Sequence, residues 1–313
     1  MWKDSVFLVD KKYKKTRFTA WVDLVFCFIA YGADFSNYVS FHFYDLNRKG
    51  RRRFITFYRN EKLWHLFSKS CRELFLDKAR FNDEFKPFIF RKWVDTRKES
   101  EGIIKAFIVS QAGGVIIKPV DSCMGIGIRK INGNNEEDLI NFLKEVRNGK
   151  HYIIEEILEN HPDVKRINPP SLNTIRVVTC LDSKHEIHIL ATCLRAGISE
   201  AITDNVCTGG IVCHIDEKYG IIDTKAYNHL GASYSVHPNS GVFMIGYEIP
   251  QWDNVISLAR KLALHMPEAR YVGWDIAITT RGLELLEGNI PPDEGVTQMC
   301  TMEGMYNKIM TLL

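Results

Sequence analysis

The run from Tyr271 to Pro292, YVGWDIAITTRGLELLEGNIPP, constrains the fold more than any other part of the chain. Two apolar segments, 271–279 and 283–287, are joined by Thr280-Arg281-Gly282, a short Gly-bearing connection of the kind a β-hairpin needs. Counted from Arg281, Asp275 and Glu287 fall opposite each other, and Asn289 follows Glu287 by two, so both leave the same strand face. Three hard oxygen donors in an otherwise apolar hairpin suit Mg²⁺, which takes a few carboxylates and completes its shell with phosphate oxygens. Taken alone, the pattern equally describes acids on the solvent face of an edge strand.

Upstream residues narrow the choice. Lys118 ends the apolar strand GVIIKP, where Pro119 limits extension. The loop from Asp121 to Ile128 follows, with Ser122 and two glycines, Gly125 and Gly127, that let backbone N–H groups approach an anion closely. Cys123 in this loop is expected to be a small filler. The order is not G-x-x-x-x-G-K-[ST], so a P-loop is excluded. Tyr152 to Leu158 (YIIEEIL) is an apolar strand ending in Glu155 and Glu156, either a solvated strand end or a hinge able to hold a purine.

Helical periodicity marks 61–75, 136–148 and 252–265, and strands are expected at 114–119, 151–154, 173–180, 186–194 and 211–215. This is an α+β pattern with substantial antiparallel sheet, not a doubly wound one. Three segments are expected: an N-terminal substrate or partner region (1–75), a central subdomain with the lysines and loop (76–155), and a C-terminal subdomain with the acids (156–313). The balance of 41 Lys+Arg against 38 Asp+Glu gives no nucleic-acid footprint. Eight dispersed cysteines without a C-x-x-C pair fit reduced thiols better than a zinc site or disulfide scaffold. Residues 18–33 are apolar behind a basic run and imitate a secretory signal. Asp23 interrupts them and they fall short of a membrane span, so a buried helix is expected.

The order Lys78, Lys118, glycine loop, acidic hinge, Arg176, Asp275, Glu287-x-Asn289 resembles the ATP-grasp superfamily, which includes D-alanine–D-alanine ligase, over residues 76–295. LDKARF (76–81), IIKPVDSCMGIGI (116–128), PPSLNTIRVVT (169–179), DNVCTGGIVCHID (204–216) and the 271–292 hairpin are similar to the sugar-transfer-associated group found with bacterial surface-polysaccharide genes. The resemblance implies two α+β subdomains clasping ATP. Lys78 and Lys118 would contact the α- and β-phosphates beneath a mobile lid from Ser122 to Gly127. Glu155 or Glu156, with the backbone of Ile157 and Leu158, would hold adenine, and His161 or Asp163 would lie near the ribose. Asp275, Glu287 and Asn289 would ligate magnesium, and Arg176 would face the γ-phosphate. Arg195, Asn205, Gly209 and Gly210 lie where a loop could reach phosphate or acceptor, although Arg195 reads equally as an ordinary strand-end cation.

The implied activity is a cytoplasmic, ADP-forming ligase that activates a carboxylate as an acyl-phosphate for an amine. The alternatives are an ATP-grasp kinase acting on a sugar hydroxyl, and a non-catalytic ATP sensor. Arg48 to Arg53, flanked by aromatics and supplemented by Arg91 and Arg97 around Trp93, is either a solvated basic loop or a site for an anionic sugar acid or membrane headgroups. Glycan- or lipid-linked acceptors, peripheral attachment at the inner membrane face and homo-oligomerisation are all compatible with the sequence.

Overall fold

The computed structural model describes residues 17–122, 125–199, 204–206 and 209–313; Cys123, Met124 and Cys207 lie outside the described residues. The N-terminal third is helical: α1 (Arg17–Tyr31), α2 (Phe35–Ser40), α3 (Arg48–Arg51), α4 (Phe57–Trp64), α5 (Lys69–Leu76) and α6 (Lys78–Glu84). The helix expected over 61–75 is thus two helices. Ser68 caps the second, its hydroxyl accepting the Cys71 N–H at 3.1 Å, and local capping overrides the longer periodicity. Helix α1 also departs from expectation, because it is buried on one face only. Ala20, Leu24, Cys27 and Tyr31 point inward while Phe18 and Ile29 stay exposed.

Next come β1 (Trp93–Asp95), α7 (Glu101–Ser110), β2 (Val115–Pro119), β3 (Arg129–Ile131), α8 (Glu136–Arg147) and β4 (Tyr152–Glu156). The four strands form an antiparallel sheet in the order β1-β4-β2-β3. Ile104 and Ile108 of α7 and Leu139, Phe142 and Leu143 of α8 cover it in one apolar cluster.

After α9 (Pro162–Lys165) the chain builds β5 (Thr174–Leu181), β6 (Ile187–Ala196), β7 (Ile211–His214), β8 (Ala226–Tyr227) and β9 (Ser233–Tyr234). Helix α10 (Trp252–His265), β10 (Tyr271–Thr279), β11 (Gly282–Asn289), α11 (Glu294–Gln298) and α12 (Tyr306–Leu312) complete it. The second sheet runs β11-β10-β5-β6-β7-β8-β9, also antiparallel. Trp252, Val255, Ala259 and Leu262 of α10 recur at helical spacing and join β5 and β10 in the main core. On another side, Tyr31, Tyr38, Phe41 and Phe43 pack with Cys193, Val212, Val296 and Met299, so the N-terminal helices are built onto the large sheet. Mixed helices and two antiparallel sheets agree with the α+β expectation. Among the described residues, no helix is long and apolar enough to cross a membrane.

Candidate functional site

A cleft of about 860 Å³ is lined by both sheets and the N-terminal helices, including Lys78, Lys118, Arg176, Arg195, Asp275 and Glu287. Its floor begins with register. Asp275 pairs with Arg176 across β10 and β5, and Thr174 pairs with Arg195 across β5 and β6. Opposed residues share a face, so one sheet surface collects two guanidiniums and a carboxylate.

Asp275 pairs with Glu287 as expected, but for a different reason than counting from Arg281. Thr279 pairs with Gly282, and an unbroken ladder from there would set Leu286 opposite Asp275 and turn Glu287 to the far face. The register shifts between Asp275 and Ile276, leaving Leu286 as an extra residue, and this β-bulge brings Glu287 onto the cleft side. The Asn289 side chain lies 3.5 Å from Glu287 Oε1.

Asp275 is only 2% exposed, and both arginines hold it. Arg176 Nε and Nη2 donate to its two oxygens, the latter at 2.8 Å, and Arg195 Nη1 donates at 2.6 Å. Arg195 Nη2 also reaches Asp204 Oδ1 at 3.1 Å, while the Thr174 hydroxyl donates to the other Asp204 oxygen. Burial alone would raise the Asp275 carboxyl; the two guanidiniums outweigh it and hold it well below the carboxylate range. Glu287 goes the other way, raised by burial and then by the charge of Asp275. Gly273 makes room for the arrangement, since a Cβ there would stand 3.0 Å from Arg176 Cδ.

Lys118 forms the opposite wall. Its ammonium lies 2.6 Å from Glu155 Oε2, and Arg91 Nη2 holds the other oxygen at 2.9 Å. Arg91, 3% exposed, also binds Glu284 at 2.9 Å and donates to the carbonyls of Leu285 (2.5 Å) and Leu286 (3.2 Å). One cation therefore ties β4 of the small sheet to the bulge of the large one. Burial would raise the Glu155 carboxyl, but Arg91 and Lys118 bring it down to about 2. Glu156 accepts from the Lys92 N–H at 2.9 Å and from Arg281 at 2.7 Å. Both hinge carboxylates are thus engaged in ion pairs, and Ile157 and Leu158 line the cleft beside them.

Lys78, at the start of α6, donates to the Ser122 carbonyl and lies 3.5 Å from its hydroxyl, which fixes one end of the glycine loop. Ser122, Gly125 and Asn205 line the cleft; Gly127, Asp163, Gly209 and Gly210 do not. Gly127 sits against Pro119, where a Cβ would come within 2.9 Å of Cγ. Gly210 allows close backbone crossing, with the Asp204 carbonyl 2.6 Å from a virtual Cβ. At the start of α9, the capping His161 has its Nδ1 3.6 Å from Asp163 Oδ2, and the Asp163 carbonyl accepts the Tyr247 hydroxyl, away from the cleft.

The basic run is not a wall of the cleft. Arg51 is buried, donating to both oxygens of Asp23 (2.7 and 2.8 Å) and to the Phe43 carbonyl. Arg91 is in the interior, and Arg97 is paired with Asp77 and Asp95. The N-terminal helices instead supply Asp34 and Asn37, which meet Asp293 and Glu294 at an acidic end of the cleft. Sequence inspection missed that end, together with Asp204 and the role of Arg91. The one signal for Asp204 was its place beside Asn205 at the head of the DNVCTGG run.

Solved structures of similar fold include the ADP complex of N5-carboxyaminoimidazole ribonucleotide synthetase, at 8% identity and a TM-score of 0.48, covering 78% of this chain and 53% of that one. A D-cycloserine synthetase is 11% identical with a TM-score of 0.44, covering 80% and 77%. D-alanyl-alanine synthetase A from Vibrio cholerae is 10% identical with a TM-score of 0.44, covering 75% and 60%. The chain spans about half the length of the first of these. No curated protein matches the sequence. The family model described as sugar-transfer associated ATP-grasp matches residues 91–312, well over half of the chain, and the protein belongs to that family.

Proposed function

We propose that the protein is an ATP-dependent, ADP-forming carboxylate–amine ligase working through an acyl-phosphate. The observation that carries this is the convergence of Lys78, Lys118, Arg176 and Arg195 with Asp275 and Glu287 in one cleft. Lys78 and Lys118 would hold the α- and β-phosphates, with Ser122 and Gly125 of the glycine loop beside them. Ile157 and Leu158 would present backbone groups to adenine. Asn205 would contact phosphate or acceptor.

The donor set fits a magnesium ion. Glu287 faces Asp275 closely enough for the charge of Asp275 to push its carboxyl up, and two facing acids with a neighbouring Asn289 amide call for a hard cation. Asp275, Glu287 and Asn289 would hold Mg²⁺, which supplies charge neutralisation to the phosphates when bound.

A carboxylate repels nucleophiles, and moving the γ-phosphoryl onto it creates an acyl carbon with a phosphate leaving group. Charge accumulates on phosphoryl oxygens during that step, so fixed cations do the work. Arg176 and Arg195 suit it because Asp275 and Asp204 hold them in place, and Arg176 Nη1 is buried without a hydrogen-bond partner among the described residues. The amine, once it has given its extra proton to a carboxylate, attacks the acyl carbon: the C–N bond forms, the C–O bond to phosphate breaks, and the second proton shed by nitrogen leaves with the phosphate. The acidic end at Asp34, Asp293 and Glu294 favours a protonated amine over an anionic glycan as the arriving partner.

The division into 1–75, 76–155 and 156–313 is retained, with the lysines on the central segment and the metal acids on the last. The family's description, sugar-transfer associated, is what supports a substrate from surface-polysaccharide assembly. The test is incubation with ATP, Mg²⁺, candidate carboxylates and hydroxylamine. Hydroxamate with ADP is expected. AMP would overturn the acyl-phosphate route, and a phosphorylated sugar without hydroxamate would make the protein a kinase.

A further inference from the structure

Helix α1 has two apolar faces and packs on one. Ala20, Leu24, Cys27 and Tyr31 enter the core, whereas Phe18 (73% exposed), Trp21 (47%), Val22 (46%), Phe26 (42%), Phe28 (58%) and Ile29 (77%) face out. Its single acid, Asp23, is turned to Arg51 and to the Tyr38 hydroxyl at 2.9 Å, so it does not offset the apolar character of the outer surface. Beyond the helix end, the Tyr58 N–H donates to the Gly32 carbonyl at 3.1 Å and brings exposed Phe57 and Tyr58 alongside. Helices apolar all round are normally enclosed, and an exposed strip of this kind marks an interaction surface.

Charge identifies what covers it. In sequence, Lys11, Lys12, Lys14 and Lys15 come before the helix and Arg17 is its first residue, with no acid between residues 11 and 22. Arg51 holds the middle of α1, and its neighbours Arg48, Lys49, Arg52 and Arg53 are exposed. A two-fold contact with a second copy would bring the same basic edges together, which like-charge repulsion opposes. An anionic lipid surface satisfies both features, since aromatic and aliphatic side chains enter the acyl boundary while cations meet headgroups. At 15 residues the helix is about 22 Å long, too short to span a bilayer but suited to lying in its surface.

The geometry points to α1 as a membrane-surface anchor: an interfacial helix that seats the enzyme on anionic lipid through its Phe18–Ile29 face, with the exposed cations Arg48, Lys49, Arg52 and Arg53 at the headgroups. The proposal is independent of the reaction catalysed.

Cosedimentation of the full chain with phosphatidylcholine vesicles, with and without phosphatidylglycerol, tests it. Phe18→Ser/Ile29→Ser removes the two most exposed anchors and keeps Trp21 as a fluorescent reporter. A second variant replaces Arg48, Lys49, Arg52 and Arg53 with serine. The wild type should sediment with anionic vesicles, with a blue shift of tryptophan emission. The apolar variant, melting like the wild type, should partition at least about tenfold less. The second variant should lose its preference for anionic lipid, as raised salt should also cause. Failure to bind anionic vesicles, or equal binding by the apolar variant, overturns the proposal. So does a dimer in light scattering that ignores vesicles and dissociates in that variant, since the face would then belong to a second copy.

Discussion

Burial, with Asp293 and Asp34 beside it, pushes the Glu294 carboxyl up to about 7, although Asn37 and Asn60 donate to it at 3.3 and 2.8 Å. The folded state therefore holds a proton more tightly than the unfolded chain, whose glutamate has its ordinary value of 4.5. Stability is unaffected below that value, falls as pH rises from there to about 7, and stays lowered above. Glu294→Gln lacks this dependence. Its stability relative to wild type should rise across that window by about 2 kcal/mol, read from urea unfolding at pH 5 and pH 8. A gap that does not change with pH would refute the assignment. Asp275 and Glu287 were legible in the sequence because acids are conspicuous in an apolar hairpin. Asp204 was not, because an aspartate beside a glycine-rich stretch looks like turn chemistry until β5 and β6 pair and bring Arg195 to it.

The hairpin teaches how such legibility fails and still succeeds. Its strands and the helix at 252–265 were readable from periodicity, but the bulge at Leu286 was not, since it adds one residue without any glycine or proline to mark it. The Asp275–Glu287 pairing was reached by placing the pivot at Arg281, half a residue past its true position between Thr280 and Arg281, a one-residue error in register that the bulge compensates. Part of what holds the bulged strand is Arg91, which takes the Leu285 and Leu286 carbonyls in the same grip as Glu284 and Glu155. Arg91→Met would leave two buried glutamates without that cation, at a cost of about 3–5 kcal/mol in denaturant unfolding. A variant as stable as wild type would show that the grip contributes nothing net.

Across the whole molecule, the N-terminal third gave the least warning of its role, because its contacts are distant in sequence. The fully buried Gln298 illustrates this. Its side chain accepts from the Ile55 N–H at 2.9 Å and the Met305 N–H at 3.0 Å, and donates to the Ile55 carbonyl at 2.9 Å. One amide thus joins the helical region to the C-terminal tail, assisted by Arg59 stacked 4.0 Å over the Tyr306 ring. Gln298→Ala strands three buried backbone groups and should cost about 2–4 kcal/mol, with early proteolytic nicking around Ile55. A melting temperature within a degree or so of wild type would contradict it.

The Lys118–Glu155 pair has a consequence for how a ligand is received. An anion arriving at Lys118 does not meet a bare ammonium; it meets one already neutralised by a carboxylate that stays ionised down to about pH 2. Binding there is an exchange of counter-ions rather than the gain of a new attraction. The net affinity is the difference between two strong contacts, so the carboxylate that steadies Lys118 also weakens its hold on an anionic product, a trade-off that favours turnover over tight retention.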